Sequence, residues 1–162
     1  MNLYDKDPRA YKLAFNTLTT CMLGEYWYPM RRESDELCIH ILDQVYPLLV
    51  TTGFFEKTKF DRLSVIFRMV YPWEVNHEIK LSNDDDEFEV SISFHPEEFE
   101  ERMRSDYFIF AISNIVIALE SVCKKFGLDN TAVTSFVDKF ETTYRQPMYN
   151  IISAGDSSTD SR

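Results

Sequence analysis

Glycine is scarce in this chain, four in 162 residues, and the scarcity removes several chemistries at once. Loops that cradle phosphate and strained turns that present a nucleophile need glycines at fixed offsets, and neither pattern occurs. Cysteine is also sparse. Cys21, Cys38 and Cys123 are odd in number and sit in apolar helical patterns, which excludes a disulfide framework and predicts buried free thiols in a reducing compartment. Basic charge is short too: the net charge of −10 argues against nucleic acid as a partner, since phosphate binding runs on basic patches and counterion release. The longest apolar run, eleven of the thirteen residues 107–119, is about a third shorter than a bilayer requires and contains Ser113 and Asn114, so no membrane segment is expected. Residues 1–9 are polar and unlike a secretory signal, which makes the cytoplasm the expected location.

Aromatic residues, in contrast, reach 15%, as in a well-packed globular chain. The dominant stretch is 105–127. Phe108, Ile112, Ile115, Leu119, Val122 and Phe126 recur at steps of four and three, forming one helical stripe. Ser105 or Asp106 is placed to cap it, Lys124 and Lys125 suit its negative end, and Gly127 suits a left-handed stop. A first helix is predicted from Asp7 to about Gly24 on the spacing of Tyr11, Phe15, Leu18 and Met22, followed by an aromatic connection over residues 25–32. A second helix is predicted from about Ser34, carrying Leu37, Ile41, Val45 and Leu48 inward and kinked or restarted at Pro47. Pro96 opens a short acidic helix to Arg104, and Asn130 starts a last helix whose inward residues are Val133, Phe136, Val137, Phe140 and Tyr144.

Between Gly53 and Pro96 the period falls to two. Residues 63–71 are apolar on both phases, as in a central strand; Val75, His77, Ile79 and Leu81 alternate with polar neighbours, and so do Phe88, Val90, Ile92 and Phe94. Residues 82–86 form the turn between the last two. The expected fold is α+β: four to five helices on a three-stranded antiparallel meander, in one domain over residues 1–152, with 153–162 a disordered polar tail.

Carboxylates form the one feature above background. Residues 84–101 hold nine acids and no lysine or arginine, a self-repelling arrangement that a merely solubilising surface would interleave with bases. The expected partner-binding residues are Asp84, Asp85, Asp86, Glu87, Glu89, Glu97, Glu98 and Glu101. The run Asp84 to Glu87 lacks the alternation and glycine of a calcium loop, and Glu36, His40 and Asp43, on one helix face, lack a second pair for a metal site. No metal, no cofactor and no catalytic residues are expected. His77 is expected to be a satisfied inward-facing histidine and His95 a cap or strand end.

In overall profile, though not by any motif, this small, acidic, cofactor-free α+β chain resembles bacterial toxin-immunity proteins of the contact-dependent inhibition or polymorphic toxin type. That resemblance implies a protein kept in the producer's cytoplasm that neutralises one cognate toxin domain, often a basic nuclease. The alternative is an adaptor or chaperone-like module that holds a partner segment against Trp27, Tyr28, Tyr71 and Trp73. An enzyme with a site assembled only in the tertiary structure is the third reading.

Overall fold

The computed structural model describes residues 11–19, 24–58, 60–84 and 87–144. Their order is β1 (Leu13–Thr19), α1 (Gly24–Val50), α2 (Phe54–Lys57), β2 (Arg62–Met69), β3 (Ile79–Asp84), β4 (Glu87–Phe94), α3 (Pro96–Ser105), α4 (Tyr107–Phe126) and α5 (Thr131–Tyr144). The architecture is α+β, five helices with a four-stranded sheet in the order β1-β2-β4-β3. β1 and β4 both run parallel to β2, and only β3 is antiparallel, on the outside of β4.

This corrects the antiparallel meander in two places, for one physical reason. A strand that is apolar on both phases needs a neighbour on each side, and a meander would leave residues 63–71 at an edge. In the structure residues 63–67 of β2 are all buried, with β1 on one side and β4 on the other. The β3–β4 hairpin does form, but the chain passes beyond β4 before folding back, so the more apolar strand lies inside. Phe88, Val90, Ile92 and Phe94 are buried, while β3, with Lys80, Ser82 and Asn83, takes the edge, where charge and polarity are tolerated.

The second correction is at the start of the chain. The segment predicted as a first helix contains a strand, β1, whose Leu13 pairs with Leu63 and whose Phe15 pairs with Val65. Four residues at helical spacing were outweighed by the demand of β2 for a parallel neighbour. Parallel strands need a long crossover, and α1 supplies it over 27 residues. The expected connection at 25–32 is therefore the first part of α1, and the helix continues through Pro47 to Val50 without a restart. Residues 1–10, 20–23 and 145–162, including Asp7, Pro8, Cys21, Met22, Pro147 and the expected polar tail, lie outside the described residues.

The long helix matches its reading. α4 ends at Gly127, which adopts φ 67° and donates its amide to the Cys123 carbonyl, and Ile112, Ile115, Leu119 and Val122 are fully buried. Asp106 occupies the N-cap position, but its carboxylate receives Arg102 and Ser105 rather than a backbone amide. At 20 residues with mean hydropathy 1.6, α4 is long and apolar enough by composition to cross a bilayer, contrary to the shorter run read from 107–119; 67% of that window is buried inside the protein. Phe67 is the hub of the packing, with ring centroids 4.8 Å from Phe15, 5.3 Å from Phe94, 5.8 Å from Phe99 and 5.9 Å from Phe110.

Leu119→Ala should lower unfolding free energy by about 2–5 kcal/mol, through lost burial and a residual cavity. Chemical denaturation measures it, and a loss below about 1 kcal/mol would show that α4 is not central.

Candidate functional site

The sheet divides the acidic residues instead of collecting them. Asp84 ends β3 and faces Glu87, the first residue of β4, across the hairpin; Asp85, Asp86 and the Asp84 side chain lie outside the described part. From Glu87 to Phe94 is seven strand steps, about 23 Å, so the hairpin tip and the start of α3 are at opposite ends of β4. Neighbouring strands also supply the bases that residues 84–101 lack in sequence. Glu87 lies in register with Arg62 of β2, and Arg68 and Lys80 flank the same face, where both approach Glu78 at 3.7 and 3.3 Å. Glu89 lies between Ser64 and Ser82 on that face. On α3, Glu97 and Glu101 are exposed and line an open groove with Glu100, Arg104 and Ser105.

Glu98 is different. Asn76 donates to one of its oxygens at 2.7 Å and the His77 Nε2 donates to the other at 2.8 Å. Burial opposes its charge, but the hydrogen bonds from His77 and Asn76, with the positive charges of His77 and Arg102, hold Glu98 below the ordinary glutamate range. It thus fastens α3 to the segment 70–78 that leads from β2 to β3.

Further hydrogen bonds give that segment a single shape. The Ser93 hydroxyl donates to the Val75 carbonyl at 2.6 Å and accepts the Glu78 amide at 2.9 Å, while the His77 amide reaches the Ser93 carbonyl. The Asn76 side chain accepts the His95 amide, and the His95 Nε2 is 2.9 Å from the Glu74 carbonyl, which fixes its proton on that nitrogen. Glu74 accepts the Tyr71 amide through its side chain and returns its own amide to the Tyr71 carbonyl. His95 stands at the N-cap of α3, the helix end expected of it. His77 adopts φ 61°, a conformation uncommon outside glycine, and its ring packs edge-on to Phe94 with a side chain that is still 44% exposed. It is satisfied, as expected, but half out of the core.

What this scaffold holds outward is apolar. Among the described residues six large hydrophobic side chains are exposed, and four of them, Trp73 (78%), Val75 (64%), Ile79 (42%) and Leu81 (40%), fall within residues 73–81. Trp73 lies flat on Tyr71, with centroids 4.5 Å apart and planes 8° from parallel. Ile79 and Leu81 are on the helix-facing side of the sheet, beside Ile92 and Val90, yet those partners are buried and they are not. The helical layer stops at β4. Phe126, also exposed, packs on Phe88 at the tip end of the same side. The period-two pattern identified Ile79 and Leu81 as inward; that the inward side is uncovered at an edge strand was not legible from it.

Other expected sites stay apart. Glu36 and His40 are exposed on α1, whereas Asp43 accepts the Tyr11 hydroxyl at 2.9 Å. No group of three or more histidine, cysteine or acidic side chains positioned for a metal is found among the described residues. Trp27 and Tyr28 fall in α1, with side chains outside the described part.

Two outcomes follow from these environments. Cys38 and Cys123 are buried, and burial, with the Asp129 charge, pushes the Cys123 thiol up; both should react with a thiol reagent only as fast as the protein opens, and rapid native labelling of either would contradict the packing. Because Glu98 is held low, its stabilisation is present above its ordinary value and is lost as pH falls through the lowered one. Glu98→Gln should therefore melt below wild type at pH 7, with the gap closing as the pH is taken below the ordinary glutamate range; a gap that persists or widens on acidification in thermal melts would contradict the tie.

Compared with models of known protein families, with characterised proteins and with solved structures, the chain finds no match, and its site rests on its own geometry.

Proposed function

We propose that this protein acts by binding another protein through residues 71–81, with flanking carboxylates guiding a basic partner into place. Neutralisation of a cognate bacterial toxin domain, inside the cell that makes both, is the role that fits a compact acidic chain of this profile. Binding, not turnover, is the proposed activity. The observation that carries the reading is the rigid presentation of Trp73. A tryptophan left 78% exposed on a stacked tyrosine, in a loop pinned by Ser93, His95 and Glu98, has no part in the fold's own core. Tryptophan and tyrosine are the residues around which protein interfaces concentrate their energy. The carboxylates serve in a secondary place, as two separate rims, Asp84 to Glu87 at the hairpin tip and Glu97 with Glu101 on α3, rather than as one surface. Rim charges of this kind set association rate more than final affinity.

Co-expression with the toxin encoded beside its gene, scored as cell survival, and binding kinetics with that toxin domain test the proposal. Trp73→Ala should weaken the complex by about 2 kcal/mol or more, some 30-fold, while leaving thermal unfolding nearly unchanged. Reversing Asp85, Asp86, Glu87 and Glu89 to lysine should instead slow association at low salt, with dissociation little altered. Full protection by Trp73→Ala with unchanged affinity would remove the basis of the reading.

A further inference from the structure

Among the described residues β3 is the last strand of the sheet, with no strand paired to its outer edge. The Ser93 amide donates to the Glu78 carbonyl and the Ser93 carbonyl accepts the His77 amide, so Ser93 turns its backbone groups toward the β3 side. Along a strand that direction alternates, so Ser91, Glu89 and Glu87 turn the same way and their partners Lys80, Ser82 and Asp84 turn their backbone groups toward β4. Ile79, Leu81 and Asn83 turn theirs outward. The two residues that turn amides and carbonyls away from β4 at the centre of the edge, with no partner among the described residues, are thus the same two whose apolar side chains are left uncovered, at 42% and 40% exposure. Edges of this kind accept an added strand.

A second copy of the chain fits poorly. Two copies joined about a two-fold axis normal to the sheet must pair residues of the same phase. Centred on Lys80, Ile79 meets Leu81 but lysine meets lysine; centred on Leu81, Glu78 meets Asp84; centred on Ser82, Lys80 meets Asp84 but Ile79 meets Asp85. None of these three registers satisfies both the apolar and the charged positions. The one centred on Ile79 sets Glu78 opposite Lys80 but leaves Leu81 against His77 in the preceding loop, and each copy carries a net charge of −10. The strip has an apolar middle; Glu87 stands at the hairpin end of β4, opposite Asp84, and α3, with Glu97 and Glu101 exposed, follows β4 at its other end.

We infer that β3 receives an extended segment of the partner protein as a fifth strand. The segment carries apolar side chains two residues apart, over Ile79 and Leu81, and lysine or arginine at both ends. β3 is six residues long, about 17 Å, which sets the length of the segment at six to eight residues. This rests on the protein-binding reading above and adds its mode and chemistry. Main-chain hydrogen bonds to Ile79, Leu81 and Asn83 supply affinity, and the alternating side chains supply selection.

The probe is a synthetic peptide, Lys-Lys-Val-Thr-Val-Thr-Lys-Lys, added to the full chain, with Lys-Lys-Gly-Ser-Gly-Ser-Lys-Lys as a control of equal charge. The peptide should bind, the control should bind at least about tenfold more weakly, and exchange of the Ile79, Leu81 and Asn83 amides should slow by about tenfold or more at saturation. Lys80 and Ser82, already paired with β4, should change less. Leu81→Pro removes an outward amide without removing a bond to β4, and should abolish peptide binding with thermal unfolding retained; where that variant does not fold, the wild-type exchange pattern decides. Equal binding of peptide and control, or binding without protection of the three amides, would overturn strand addition. Dimerisation of the free protein with those amides already slowed would overturn it in favour of a second copy. Either failure, with Trp73→Ala still weakening the toxin complex, leaves the protein-binding reading standing.

Discussion

The buried face of Phe67 is the interaction on which the rest of this structure depends. Its ring meets Phe15 of β1, Phe94 of β4, Phe99 of α3 and Phe110 of α4, so one side chain joins the two strands that flank β2 to two helices. Such edge-on aromatic pairs add a directional preference to ordinary burial, and a cluster of them specifies the relative placement of the elements more closely than aliphatic packing does. Phe99 in turn orients α3. With α3 in place, Glu98 of the same helix reaches Asn76 and His77, and the outward loop acquires its shape from the core behind it.

The same packing explains why an apolar strip is left over. α4 and its neighbours cover β1, β2 and β4, and the sheet extends one strand further. Val90 and Ile92 are buried, while Leu81 and Ile79, one strand away on the same face, are not. A monomer of this size ordinarily blunts such an edge with charge or a bulge, and here Lys80 and the acidic tip do so in part. The apolar pair, with Trp73 and Val75 just before it, remains open to a partner.

Helix α4 was legible almost to the residue, because its stripe, its lysines and its terminal glycine all act locally. The hairpin was legible for the same reason, as period-two alternation around a polar turn. Strand order was not. That residues 63–67 are apolar on both phases did call for two neighbours, but which segments supply them depends on pairing across the chain, and β1 carried a competing helical spacing in Tyr11, Phe15, Leu18 and Met22. The candidate site suffered from the same limit. A window along the chain registers nine acids without a base over residues 84–101; the sheet then sets Arg62 beside Glu87 and commits Glu98 to His77 and Asn76, so the run does not act as one unpaired cluster. Tyr71 and Trp73 were noticed as aromatics near a proline, yet only the tertiary structure separates an exposed indole from a buried one.

The central claim is that the surface of residues 73–81 is where another protein sits. Oxidative footprinting of the full chain, free and in complex with the proposed partner protein, tests it most directly. The account predicts that Trp73, Val75, Ile79 and Leu81 are oxidised readily in the free protein and are protected together in the complex, while Val50, exposed on α1, is oxidised equally in both states. Protection at Val50 or along α5 with residues 73–81 unchanged would contradict it.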